Sequence, residues 1–77
     1  MRMLNMVRKM KLNLKNFKIA MAREKINISD LAQRTGLARV TLDAYCIGRI
    51  NPSTKAVGLI AEALNVDVTE IIDMEEK

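Results

Sequence analysis

The side chains with the clearest chemical potential in this sequence are its cations, and they are unevenly spread. Residues 1–55 carry twelve Lys and Arg against three Asp and Glu, a net charge of +9. Residues 56–77 carry one Lys against six Asp and Glu, a net charge of −5. Such asymmetry is typical of a body that faces a polyanion and a tail that faces away from it. The pattern therefore favours nucleic-acid binding, although many small proteins are lopsided by chance.

The groups that enzymes and metal sites require are scarce. The sequence has no His, a single cysteine at Cys46 and no glycine-rich phosphate loop, and its carboxylates cluster only towards residue 77. One Cys without His does not assemble a metal site. We therefore expect no enzymatic activity, no metal and no cofactor, and we expect Cys46 to be a thiol of the core.

The sequence also bears on cellular location. No apolar run approaches the about 20 residues of a membrane-spanning helix, and residues 1–9 lack the long apolar stretch of a secretion signal. A lone cysteine requires no oxidising compartment. We expect a cytoplasmic protein with no membrane partner.

The elements that must position the charged residues are short helices. A chain of 77 residues is one small domain, and its apolar residues recur at helical spacing, with no strand signal. Asn27 with Asp30 predicts a capping box, Gly36 a helix end, and Pro52 a loop. The sequence predicts an all-α fold of five helices, at residues 14–25, 28–35, 39–46 or 39–47, 53 or 54 to 64, and 68–73.

The two ends of the chain lie outside this helical unit. Residues 1–13 show no clean period and are predicted to be a basic arm, partly disordered. Residues 74–77 are predicted to be an acidic tail, which leaves residues 14–73 as the helical domain. Whether the basic arm contacts a polyanion is open at this stage.

The second and third predicted helices have the form of a helix-turn-helix. Two short helices joined by a turn with glycine are the sequence signature of this motif. Ala32 is small where the two helices must approach closely, Gly36 makes the turn, and Leu31, Leu42 and Tyr45 would bury the crossing. The combination is moderately specific by itself.

The order and spacing of these residues resemble the Cro/C1-type (XRE) family of phage-repressor-like regulators. The resemblance covers about residues 14–73 and is carried by NISDLAQRTGL at residues 27–37, RVTL at 39–42, GRINPS at 48–53 and LNVDVTEII at 64–72. It implies a lambda-repressor-like domain with the helix-turn-helix at helices 2 and 3. It also implies sequence-specific binding of double-stranded DNA and transcriptional regulation.

The resemblance implies which residues would read DNA. Residues 39–47 would lie in the major groove, and the expected base-reading residues are Arg39, Val40, Asp43 and Ala44. A guanidinium at Arg39 can bond to both O6 and N7 of guanine, and Val40 suits a thymine methyl. The alternative for Arg39 is a solvated residue of the first helical turn.

Contacts with the DNA backbone and with a second copy follow in the same way. The expected backbone contacts are Ile28, Arg34, Thr41, the Gly48 amide, Arg49 and Lys55. A homodimer is expected because one recognition helix reads only a few base pairs, with an interface at Ile71, Ile72 and Met74. Each cation could instead be a solvated surface residue, and Ile71 could instead complete the core.

Five positions depart from the family pattern: Ile28, Ala38, Met21, Cys46 and Ile47. Ile28 replaces a common Gln and would pack inward or touch sugars, and Ala38 replaces the Ser or Thr that caps helix 3. Met21 and Cys46 together replace a common buried Arg–Glu pair, so we expect the two to touch, because apolar groups can replace both partners at little cost.

A second functional class remains open. The same fold could serve as a protein-interaction module, such as an antitoxin or an antagonist of another regulator. Its working surface would then be Ile47, which takes a position commonly Asn, with Ile71, Ile72 and Met74. The basic body and Arg39 favour DNA over a possible protein partner.

Overall fold

Five helices and a two-stranded ribbon make up the fold. The computed structural model describes residues 8–76, with side chains described over residues 10–73. In chain order the elements are β1 (Arg8–Leu12), α1 (Leu14–Glu24), α2 (Ile28–Thr35), α3 (Arg39–Cys46), α4 (Thr54–Leu64), α5 (Val68–Ile71) and β2 (Ile72–Glu76). The five predicted helices are confirmed. The last ends at Ile71 and not at Asp73, because the chain becomes extended at Ile72 (φ −126°, ψ 156°).

The ribbon is a correction to the sequence prediction. β1 pairs with β2 in antiparallel register, which places Leu12 opposite Ile72 and Lys11 opposite Asp73. Residues 8–12 and 74–76, which the prediction assigned to an arm and a tail, form strands, and the mostly helical fold carries this ribbon in addition to its five helices. The strands escape a local pattern search because each is five residues long and its partner lies at the other end of the chain. Residues 1–7, also assigned to the arm, lie outside the described residues.

The strand pairing also matches basic positions of β1 with acidic positions of β2. The register places every basic residue of β1 opposite an acidic residue of β2: Arg8 opposite Glu76, Lys9 opposite Glu75, and Lys11 opposite Asp73. Opposite charges at directly facing positions stabilise an antiparallel pair. The basic and acidic ends that the sequence shows as separate features are therefore brought together.

One apolar core joins all five helices and the first strand. Its fully buried members are Phe17 of α1, Leu31 of α2, Leu42 of α3, Ile60 and Leu64 of α4, and Ile71 of α5. Leu12 of β1 belongs to the same cluster. Apolar residues recur at three- and four-residue spacing along the helices, so each helix presents one apolar face to a shared interior.

The turn between α2 and α3 is held by hydrogen bonds as well as by packing. Gly36 adopts a left-handed conformation (φ 78°), and its amide donates to the Ala32 carbonyl at 2.8 Å. The buried Thr35 hydroxyl donates to the Leu31 carbonyl at 2.8 Å and accepts from the Leu37 amide at 3.1 Å. These bonds determine how α3 leaves α2.

The helix N-termini differ in how they are capped. Asn27 and Asp30 form the predicted capping box, in which the Asn27 side chain accepts from the Asp30 amide at 2.9 Å and the Asp30 carboxylate from the Asn27 amide at 3.1 Å. Ser53 caps α4 by accepting from the Ala56 amide at 3.1 Å. Ala38 occupies the N-cap of α3 in extended conformation and makes no side-chain bond.

We expect Ala38→Ser to raise the free energy of unfolding by about 1 kcal/mol, because its hydroxyl would accept an amide of the first turn. Ala38 is exposed, so the added oxygen meets no packed neighbour. Urea denaturation measures the change, with Ser53→Ala as the opposite control, expected to lose about the same amount. A serine that leaves stability unchanged while the control destabilises would show that this N-cap is already satisfied.

We expect Lys11→Glu to destabilise the fold by about 0.2–1 kcal/mol, because it places two carboxylates at facing positions of the ribbon. Adding Asp73→Lys should recover part of that loss by restoring opposite charges. Thermal unfolding of both single variants and the double variant at low salt measures the coupling. Additive effects, with no recovery, would contradict a charge-stabilised ribbon.

Candidate nucleic-acid interface

The outward face of α3 is the centre of the candidate site. Val40 and Ile47 are 75% and 71% exposed, and Asp43 between them is also exposed. Residues three, four and seven apart lie on one face of a helix. The opposite face carries Leu42 and Tyr45, which are buried in the core. The core therefore holds α3 by one side and leaves the other side open.

Arg39 sits at the N-terminal end of this face. Its side chain is exposed, and its guanidinium donates to the Ser29 hydroxyl at 2.8 Å. Ser29 lies in the first turn of α2, so this bond connects the starts of the two helices. Sequence reasoning missed Ser29 because its partner is ten residues away, and the proximity appears only once the two helices are placed.

Ala44 shares the helical spacing of the open face, four residues after Val40, but has almost no exposed surface. It is only 7% exposed, and its neighbour Tyr45 is buried as well. A methyl group with so little exposed surface has almost no area to offer a base. The expectation that Ala44 reads a base is therefore corrected.

The Gly48 amide, which was expected to contact phosphate, forms a hydrogen bond within the protein at the end of α3. Gly48 is left-handed (φ 75°), and its amide donates to the Tyr45 carbonyl at 3.1 Å. The Arg49 amide donates to the Ala44 carbonyl at 2.9 Å. These bonds satisfy carbonyls at the helix end. The Gly48 amide is thus already engaged, contrary to the expectation, whereas the Arg49 side chain is exposed.

Arg34 is turned away from α3. Its guanidinium donates to the Ala63 carbonyl at 3.0 Å and forms an ion pair with Glu24 at 3.3 Å. A helix turns about 100° per residue, so the five residues from Ser29 to Arg34 place the two about 140° apart around α2. Arg34 therefore joins the C-terminal ends of α1 and α4, and its expected phosphate contact is corrected to a structural role.

The other residues expected to contact the DNA backbone differ in how much of their surface is exposed. Ile28 is half-buried and packs against the core, which agrees with the inward alternative and leaves it little surface for DNA. Thr41 is half-buried on the flank of α3. Lys55 is exposed in the first turn of α4. Arg49 and Lys55 are thus the expected cationic contacts that remain once Arg34 is assigned to its ion pair with Glu24.

The expected dimer surface also changes. Ile71 is completely buried within the protomer, because α5 closes the core against α1 and α4. It therefore has no surface for a second copy, and its assignment to an interface is corrected. Ile72 is half-buried and begins β2, and the side chain of Met74 lies outside those that the structure describes.

Cys46 and Met21 both contribute to the edge of the core. Each is half-buried and packs against the central cluster. Burial raises the pKa of the Cys46 thiol, the nearby Asp43 raises it further, and Lys18 acts in the opposite direction. A neutral, partly buried thiol agrees with the expected core role, and a direct contact between the two side chains stays a prediction.

Two other kinds of functional feature are absent from the described part of the chain. Within residues 10–73, no group of three His, Cys, Asp or Glu side chains is placed to hold a metal ion. No helix in the described range is long and apolar enough to cross a membrane. The exposed face of α3, with its flanking cations, is therefore the feature that calls for a functional explanation.

Comparisons with known proteins agree with this architecture. Over 82–83% of its length the chain is similar in structure to two solved proteins. One is a proposed DNA-binding protein from Bacteroides fragilis, with a TM-score of 0.69, 26% identity and 98% of that chain covered. The other is Streptomyces albus HEPD, solved with 2-hydroxyethylphosphonate and Fe(II), with a TM-score of 0.68 and 22% identity. The likeness to HEPD covers only 16% of that chain and concerns the fold alone.

No match is found among curated protein sequences. A family model described as helix-turn-helix matches residues 19–71, which include α2, the Gly36 turn and α3. This range is well over half of the chain and contains the open face of α3 together with the bonds that orient it. The chain belongs to the helix-turn-helix family of the Cro/C1 type.

Proposed function

We propose that this protein is a sequence-specific regulator of transcription that places α3 in the major groove of double-stranded DNA. The observation that carries the proposal is the open face of α3, held outward by Leu42 and Tyr45. Membership of the helix-turn-helix family and the likeness to a proposed DNA-binding protein support DNA as the partner. In this motif the second helix reads base edges while the first crosses the backbone.

Arg39 is the proposed polar base-reading residue. Its guanidinium can donate two hydrogen bonds to O6 and N7 of guanine, which is the commonest specific contact in the major groove. The hydrogen bond that the guanidinium donates to the Ser29 hydroxyl holds it at the junction of α2 and α3. A side chain that is already oriented loses less conformational entropy on binding.

Arg49 and Lys55 are the proposed phosphate contacts. Both are exposed: Arg49 follows the C-terminal end of α3, and Lys55 lies in the first turn of α4. Phosphate contacts orient the protein on the duplex and make affinity depend on salt, because each releases condensed counterions. Together with Arg39 they flank the apolar face of α3 along the chain.

A homodimer on a two-fold site is part of the proposal. One short recognition helix reads few base pairs, and two half-sites one helical turn apart provide the missing specificity. With Ile71 inside the core, the surface for a second copy would draw on Ile72, which is half-buried, and Val68, which is 38% exposed.

A protein-binding role is the second candidate, and one observation favours it. Ile50, at 46% exposure, follows the even more exposed Ile47, so apolar side chains are presented near the end of α3. Surfaces of this kind are typical of protein-interaction sites. The two functions differ in whether α3 recognises a DNA sequence.

We expect binding-site selection from a randomised duplex library to enrich a two-fold-symmetric site with half-sites about one helical turn apart. In Arg39→Ala, the preference at one guanine per half-site should relax, because its two hydrogen bonds are lost. The discrimination lost should be about 1–3 kcal/mol per half-site. If nothing is enriched and all binding is weak and salt-sensitive, the DNA-reading role is wrong and the protein-binding role takes precedence.

We expect Arg49→Ala to weaken binding to all duplexes alike and to reduce the slope of log affinity against log salt by about 0.9 per protomer. Arg34→Ala is the matched control, because its guanidinium is bonded to Ala63 and Glu24. That control should lower thermal stability and leave the salt slope unchanged. Fluorescence anisotropy over a salt series measures both. Equal slopes for Arg49→Ala and the unaltered protein would remove Arg49 from the phosphate contacts.

A further inference from the structure

The open face of α3 is unusually apolar for a surface that meets DNA. Among the described residues, the two most exposed large apolar side chains are Val40, on this face, and Ile47, which continues the face at the residue that caps the end of α3. The face carries one charged residue between them, the exposed Asp43. A helix that contacts only phosphates would need cations here. This face instead offers two methyl-bearing side chains and one hydrogen-bond acceptor.

We propose, resting on the proposed DNA-binding function, that α3 selects its sites through thymine methyl groups. Val40 contacts one thymine methyl and Ile47 a second, and Asp43 accepts a hydrogen bond from a cytosine amino group between them. The sites are thus defined by shape and apolar contact as much as by the guanine bonded to Arg39.

The chemistry of the major groove supports this assignment. The C5-methyl of thymine is the apolar group that base pairs present there, and apolar side chains recognise it by contact. Val40 and Ile47 are seven residues apart, which is about 10.5 Å along a helix axis. That separation is too large for both to contact the same base pair. The two side chains therefore read two different positions.

Asp43 restricts the base between those positions. A carboxylate accepts hydrogen bonds and does not donate, so it favours a base that presents an amino group, and cytosine N4 is its usual partner. It also repels phosphate oxygens. A guanine at this position would place its O6 and N7 acceptors opposite the carboxylate. Asp43 therefore contributes by rejecting wrong bases as well as by binding the right one.

Charge decides between DNA and a protein as the occupant of this face. Residues 39–55, which include α3 and the start of α4, carry three cations against Asp43, a net charge of +2. Arg39 lies at one end of the face, and Arg49 follows the other. A polyanion would be attracted by these cations at the two ends of the face. The major groove of a duplex provides both the surrounding negative charge and the methyl groups. A partner protein that covers α3 is the competing outcome of the test.

The test replaces thymine with uracil, one position at a time on both strands, in the duplex obtained by selection. Uracil pairs like thymine and lacks only the methyl group. We expect dissociation constants to rise about fourfold at two positions in each half-site, the effect of losing one buried methyl-sized group. Other thymines should be insensitive.

Protein variants assign each methyl to its side chain. Val40→Ala should weaken binding to the thymine duplex and make uracil at the first position harmless, and Ile47→Ala should do the same at the second. Selection with Asp43→Ala should lose the cytosine preference between them while keeping both thymines. Ile19→Ala is the matched control, since it truncates an exposed isoleucine on α1, away from α3 and α5 in the chain, and it should leave every uracil effect in place.

The outcomes separate this inference from the function beneath it. If no duplex is bound with sequence preference, the proposed function itself fails. If a site is selected but uracil changes nothing, DNA reading stands and methyl recognition is wrong. If uracil effects persist unchanged in both Val40→Ala and Ile47→Ala, other residues read the methyl groups, and the apolar face is left for a partner protein.

Discussion

The crossing of α2 and α3 is the constraint on which the rest of the structure depends. Leu31 and Leu42 are both completely buried at this crossing, and Thr35 reinforces it with a hydroxyl that bonds to one helix and to the turn beyond it. A buried hydroxyl left unpaired would cost about 1–3 kcal/mol. Packing and hydrogen bonding therefore oppose a change in the angle at which α3 leaves α2.

That single angle sorts the arginines into different roles. Arg39 begins α3 beside the start of α2 and bonds to Ser29, so its guanidinium lies next to the open face. Arg34 belongs to the same short motif, yet the rotation of α2 points it to the other side, where it joins the ends of α1 and α4. Composition treats the two as equivalent cations. Their places around α2 and α3 make one a candidate reader of bases and the other part of the scaffold.

The ribbon gives the two ends of the chain a structural purpose. β1 has three basic residues and β2 three acidic ones, and the backbone register places them at facing positions. Leu12 and Ile71 then enter the same core as the helices. A domain of this size buries only a modest share of its surface, so an additional strand pair against the core is a substantial contribution. Ile71, the last residue of α5, is buried in that core and has no surface for a second copy.

The sequence by itself determined the helices and the family, because their signals are local. Asn27 and Asp30 are three residues apart, Gly36 ends a helix within one turn, and apolar spacing of three and four residues marks each buried face. Tertiary structure alone decided the roles of Arg34, Ser29, Ala44 and Ile71, and the pairing of β1 with β2. The Arg34 guanidinium donates to the carbonyl of Ala63, 29 residues further along the chain. Leu12 pairs with Ile72, which is 60 residues further along. Contacts between distant residues leave no periodic trace, so they emerge only when the helices pack.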